Sequence, residues 1–252
     1  MFETMHFGWD LHIWSVALVA TLIGGIVRGF TGFGFALILI SALLLVADPV
    51  SVVPLTLVID LLAGFTLLPR TYRDVHWTGI RQLLIGSIIG VPAGFACLLL
   101  VAPEPMKIAI YAAILLSVIL IACGFKMATV PNNRMLTGTG IVSGVMSGAA
   151  GVPGPPMVLL YLSSPLPVAI TRATGIAFFI FIDIFAIALA AYKGLIDADM
   201  LIRCAILVPV MAVGTAIGHR LFGITRPETV KLAAIILLGM LAIVGIGKVL
   251  VV

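Results

Sequence analysis

GIVSGVMSGAAGVPGPP, Gly140 to Pro156, and its earlier counterpart GGIVRGFTGFGF, Gly24 to Phe35, decide how this chain is read. Both runs lie in apolar sequence and set their glycines at the same steps. Gly25, Gly29 and Gly32 in the first match Gly144, Gly148 and Gly151 in the second, 119 residues further on. Glycines four and three residues apart line one face of a helix and let another backbone approach it. Pro153, Pro155 and Pro156 then remove backbone donors and clash with the preceding turn, so regular helix cannot continue there. Each run predicts a helix that stops inside apolar surroundings.

Composition sets the solvent. The 252 residues are 62% hydrophobic and only 10% charged, with a mean hydropathy of +1.31, whereas a soluble domain carries about 25% charged residues. The chain reads as a polytopic membrane protein with no domain-sized polar region. Its net charge of +4 comes from Lys and Arg scattered through short loops, which excludes a nucleic-acid-binding reading. Cys97, Cys123 and Cys204 sit in apolar segments without metal-ligand spacing, so neither a disulfide framework nor a metal site is expected. The start, MFETMHFGWDLH, lacks the basic region of a secretory signal, and no cleavage is expected.

Hydropathy divides the first half into Trp14 to Val27, Phe33 to Ala47, Val50 to Leu68, Gly79 to Val101 and Pro105 to Gly124. The first two are short: Trp14 to Val27 makes about 21 Å of helix against a hydrocarbon core of about 30 Å. They predict a hairpin that enters and leaves by one face. The second half repeats the plan, with Leu136 to Ala150 and Pro155 to Ser163 short, and Val168 to Ala191, Met200 to Gly218 and Thr229 to Val251 long. Further pairs follow in order: Tyr72-Arg73 with Tyr192-Lys193, Gly90 and Gly94 with Gly214 and Gly218, and Pro103, Glu104 and Lys107 with Pro227, Glu228 and Lys231. Such an ordered series marks an internal repeat.

A hairpin plus three crossings is an odd number of transits, so the second repeat starts on the opposite face and the repeats are inverted. The expected fold is an all-α polytopic membrane protein of two inverted repeats, residues 1–130 and 131–252, each a short broken-helix hairpin plus three spanning helices. Arg70, Arg73, Arg81, Lys126, Arg134, Arg220, Arg226 and Lys231 fall on one face, against Lys107, Lys193, Arg203 and Lys248 on the other. The richer face is expected to be cytoplasmic, with both termini outside.

Broken helices inside a bilayer leave unpaired N–H groups and partial positive charge at their N-terminal ends, where an anion can bind. The segments that follow the two runs begin at such ends. The candidate binding residues are Arg28, Gly29, Thr31, Gly32, Phe33 and Gly34 in the first half. In the second they are Ser147, Gly148, Gly151, Val152, Gly154, Arg172 and Thr174. For the glycines, tight helix packing is the competing explanation; for Arg28 and Arg172 it is snorkelling to the interface. Asp60 and Asp183, near the middles of corresponding helices, can neutralise an arginine or carry a coupling proton. Gly86, Gly90 and Gly94 read as helix packing, within the protomer or across a homodimer. The dispersed His6, His12, His76 and His219 form no catalytic set, and Gly245 to Lys248 lacks the phosphate-loop pattern, so neither an enzyme nor ATP-driven transport is expected.

At the two runs the chain resembles the TauE/SafE family of sulfite and sulfonate exporters, which carry a duplicated Gly-x-x-x-Gly-x-x-Gly-x-Gly-Gly-Gly motif before a proline-containing apolar stretch. Here the copies read Gly25, Gly29, Gly32, Gly34 and Gly144, Gly148, Gly151, Gly154, with the triple glycine broken in both. The likeness spans essentially the full length. It implies a secondary transporter, without cofactor, that moves sulfite, thiosulfate or short organosulfonates across a prokaryotic inner membrane by alternating access. The alternatives are a cation or proton-coupled carrier using Asp60 and Asp183, and a non-transporting membrane scaffold.

Overall fold

The computed structural model describes residues 9–123, 127–221 and 227–251, without the side chains of residues 70, 121, 227–235 and 251. Of the residues named above, His6, Gly124, Lys126 and Arg226, and the side chains of Arg70, Pro227, Glu228, Thr229, Lys231 and Val251, lie outside the described residues. The α-helices among the described residues are α1 Leu11–Thr31, α2 Phe35–Leu43, α3 Pro49–Thr71, α4 Trp77–Leu100, α5 Pro103–Cys123, α6 Asn133–Ala150, α7 Gly154–Ser163, α8 Val168–Tyr192, α9 Ala198–Leu221 and α10 Pro227–Val251. No strand occurs among those residues. Six helices, α1, α3, α4, α5, α8 and α9, are long and apolar enough to cross a membrane.

The first expectation to be corrected is the length of α1. It has 21 residues rather than stopping at Val27, which makes about 31 Å and is enough to span. Arg28 stays helical because it is paired inside the protein instead of marking a water interface. Asn132 accepts a hydrogen bond from the Met135 N–H at 2.9 Å, and this cap starts α6 three residues before the expected Leu136. The short helices are therefore α2 and α7 alone. Gly32 closes α1 at φ 84°, its N–H bonding the Arg28 carbonyl at 2.7 Å. Gly151 closes α6 at φ 64°. Both conformations are left-handed, which glycine adopts at no steric cost.

The first chain reversal places α2 well back along α1. A Cβ on Gly34 would stand 3.2 Å from the Val27 side chain, and one on Gly24 would stand 3.1 Å from the Phe35 ring. The start of α2 thus lies about two turns short of the α1 terminus. All nine residues of α2 are buried. Its exit, Leu45, accepts from Lys248 near the end of α10 at 2.6 Å. In the other pair Tyr161, near the end of α7, meets His76 at the start of α4 at 3.0 Å.

The long helices are clamped in pairs by backbone contact. α1 lies against α9 with Gly25 and Gly29 facing Gly214, Thr215 and Gly218, and α4 lies against α6 with Gly86, Gly90 and Gly94 facing Gly140, Gly144 and Gly148. Positions rise together along both pairs, so each pair is parallel. A Cβ on Gly90 would stand 2.9 Å from the Gly144 Cα, and one on Gly25 would stand 2.8 Å from the Met211 carbonyl. The Gly86, Gly90, Gly94 stripe is thus consumed within the protomer. α3 packs on α8, and α5 on α10.

Gly90→Ala forces a methyl into the α6 backbone, and overpacking of this kind costs about 1–3 kcal/mol. Gly138, with nothing within 4 Å of its would-be Cβ, should accept alanine with unchanged or slightly raised stability. Thermal unfolding of the detergent-solubilised variants checks this; equal melting temperatures would contradict the backbone contact.

Candidate functional site

Arg28 is the largest fully buried side chain, at 1% exposure. One turn from the end of α1, it reaches α3, where Nη1 donates to Asp60 Oδ1 at 2.5 Å and Nη2 to the Asp60 carbonyl at 3.3 Å. Gly64 leaves room for the guanidinium to pass, since a Cβ there would stand 3.3 Å from Nη2. The Phe179 ring of α8 lies 5.9 Å from the guanidinium carbon. The Nε–H has no hydrogen-bond partner among the described residues. An unpaired buried donor is costly, and this one is a spare donor on a charged group.

Arg28 and Asp60 line a small pocket together with Gly34, Ala36 and Leu37 from the start of α2, Val152, Pro153 and Gly154 from the start of α7, and Phe179. The two short helices therefore present their N-terminal ends to one space. Their donor supply differs. The first α2 bond runs from the Ile38 N–H to the Gly34 carbonyl, so the N–H groups of Phe35, Ala36 and Leu37 have no acceptor within the helix. At the start of α7 two of the corresponding positions are Pro155 and Pro156, which carry no N–H. The positive end of α2 is the better equipped for an anion.

The remaining sequence candidates separate into three places. Gly29 and Gly148 are spent on the α1–α9 and α4–α6 contacts. Gly32, Phe33 and Thr31 form the reversal itself: Thr31 Oγ1 donates toward the Val27 and Phe33 carbonyls at 2.8 and 2.7 Å, and accepts from the Phe33 N–H at 3.2 Å. Gly151 is the matching reversal residue. Ser147 is buried with its hydroxyl unpartnered, but it is not part of the cavity wall. Arg172 and Thr174 are not part of the pocket wall. Arg172 Nη2 donates to the Gly29 carbonyl at 3.0 Å and its stem lies on Gly32, a cation at the negative end of α1. Thr174 Oγ1 accepts from the His76 N–H at 3.0 Å and so holds the entry to α4.

Three features were not read from the sequence. Phe179 walls the cavity, His76 and Tyr161 bond one another, and Asp60 is the partner of Arg28 in particular. Among the described residues no group of His, Cys, Asp and Glu is arranged to hold a metal ion.

The model of the family described as sulfite exporter TauE/SafE matches residues 16–245. The chain belongs to that family. It is also similar to a Cupriavidus necator protein described as a probable sulfite/organosulfonate exporter, TauE. The two are 26% identical over 213 residues, covering 81% of this chain and 82% of that one. No solved structure gives a significant match. As a TauE/SafE member with six apolar helices of spanning length, the chain is a multi-pass membrane transporter for anions and not an enzyme.

The Arg28–Asp60 pair has a measurable signature in this setting. Breaking a buried ion pair by removing one partner costs about 3–5 kcal/mol, whereas removing both is far milder. Asp60→Asn should lower the melting temperature of the purified transporter sharply, and Arg28→Gln with Asp60→Asn should recover much of the loss. Simple additivity of the two single changes would argue against direct pairing.

Proposed function

We propose that this chain is a secondary carrier that moves small sulfur-containing anions, namely sulfite, thiosulfate or short organosulfonates, across a prokaryotic inner membrane by alternating access. The observation that carries this reading is one small pocket lined both by Arg28, whose Nε–H has no partner among the described residues, and by the first residues of α2. Sulfur oxyanions present several oxygens on one face. A planar guanidinium and a row of backbone N–H groups can bind them together, and charge-assisted hydrogen bonds of this kind are the strong ones. The name of the Cupriavidus necator relative supports the sulfonate class.

The proposed frame is two inverted repeats, 1–130 and 131–252. The parallel α1–α9 and α4–α6 pairs support it, because each joins the first helix of one half to the fourth of the other. So does the exit of α2 beside the end of α10 while α7 ends beside the start of α4. Rocking of one half against the other would expose the cavity to each side in turn. The surplus of basic loop residues on one face supports a cytoplasmic assignment for it and an outside location for both termini.

Purified protein should melt later in the anion it carries, by an amount equivalent to about 2.7 kcal/mol at a hundred times the dissociation constant. Thiosulfate, sulfite, sulfoacetate and methanesulfonate should shift the transition where chloride does not. In Arg28→Gln with Asp60→Asn, chosen to keep the interior neutral, the shift and the uptake of labelled anion into proteoliposomes should both vanish. Undiminished uptake by that folded variant would defeat the proposed site.

A further inference from the structure

Asp183 of α8 is fully buried, and neither carboxyl oxygen reaches a hydrogen-bond donor among the described residues. The elements packed on α8 are α3, α4, α6, α7 and the single 3-10 turn Tyr72–Asp74, whose Arg73 and Asp74 are exposed and do not act on Asp183. The charged groups that act on Asp183 are Asp60 of α3 and Arg28 of α1, and the described parts of α4, α6 and α7 bring none. Asp60 and Asp183 are both buried on the packed faces of α3 and α8, where Gly64, one turn after Asp60, lies against Ile180, one turn before Asp183, and against the Arg28 guanidinium. One guanidinium therefore serves two buried carboxyls. Carboxyls in direct contact share a proton, because two like charges at that range cannot both persist.

The same cluster blocks the anion site. Both terminal nitrogens of Arg28 are committed to Asp60, so an entering anion finds the cation neutralised and a second carboxyl behind it. Relief requires that Asp60 release Arg28, and a carboxylate deprived of its cation in an apolar interior takes up a proton instead of holding a charge.

We infer, resting on the anion-carrier reading above, that the Asp60–Asp183 carboxyl pair is a proton site coupled to the anion, which takes the place of Asp60 on Arg28. In the step, one proton from water bonds to a carboxylate oxygen of the pair and the Arg28–Asp60 ion pair opens. The anion's oxygens then accept the N–H groups that Asp60 releases. One negative charge leaves the cluster as the carboxylate is neutralised and one arrives with a monovalent anion, so the buried net charge is unchanged. Anion and proton cross together.

Methanesulfonate is the suitable probe, because it stays a monovalent anion across the working range and any pH dependence belongs to the protein. Its affinity for the purified transporter, measured by thermal shift, should rise about tenfold for each unit of falling pH, the slope of one linked proton. In proteoliposomes an inward pH gradient should drive its accumulation, with alkalinisation of the outer medium. Asp60→Asn leaves Arg28 unpaired, so methanesulfonate should bind it with little pH dependence and restore much of its lost thermal stability. Asp183→Asn, close in shape to the native residue, should flatten the slope while keeping binding. Binding that needs Arg28 yet shows no pH slope in the unmodified protein would overturn the proton site and leave the anion carrier standing. An unchanged slope in both Asp variants would do the same. Failure of every sulfur anion to bind at any pH would remove both.

Discussion

Backbone-to-backbone contact between glycine-faced helices is the constraint on which the rest of the structure depends. Gly25 and Gly29 lie on Gly214 and Gly218, and Gly90 and Gly94 lie on Gly144 and Gly148, at distances a single Cβ would violate. In lipid there is no hydrophobic drive to bring apolar helices together, so close van der Waals packing has to do it. The two clamps tie the first helix of each half to the fourth of the other. With α1 and α6 fixed in that way, the reversals at Gly32 and Gly151 return α2 and α7 into the interior, where α2 is buried on every side. The polar N-terminal ends of the short helices are tolerated there because they line a cavity within protein and do not face hydrocarbon.

Much of this order was legible in the glycine and hydropathy patterns: the helix count in each half, the hairpins, and the match between stripes such as Gly90 and Gly94 with Gly214 and Gly218. The misreading of α1 has a physical cause. A charged residue near the end of an apolar stretch looks like an interface marker, and Arg28 escapes that rule only through Asp60, a partner 32 residues away that no local pattern reveals. Glycine is ambiguous for the same kind of reason. A missing side chain serves close packing at Gly29 and Gly148 and a left-handed turn at Gly32 and Gly151, and spacing alone does not divide the two uses. Arg172 and Thr174 were credible ligands by chemistry. Tertiary placement instead gives them the α1 terminus and the entry to α4.

On the repeat reading the two halves share a plan but are not equivalent at the pocket. The position 119 residues after Arg28 is Ser147, a small hydroxyl, and the second reversal replaces two backbone donors with Pro155 and Pro156. The positive character of the cavity thus comes almost wholly from the first half. The second supplies walls, chiefly Val152, Gly154 and Phe179. On the carrier reading, one half holds the anion and the other closes over it. Only the holding half needs a charge, and the closing surface stays apolar enough to slide.

A carrier must also let go. A lone guanidinium in an apolar interior would bind an oxyanion too firmly to release it, since the alternative for the emptied site is an unpaired buried charge. In the proposed exchange Asp60 removes that difficulty by offering Arg28 an internal anionic ligand in place of the cargo. The empty site is then as well satisfied as the occupied one, and the anion need win only the small difference between two similar bonds. Favourable entry combined with easy exit is what turnover requires. On the proposed exchange Asp60 is a stand-in anion, and Asp183 beside it belongs to the carboxyl pair that takes up the proton when the anion displaces Asp60 from Arg28.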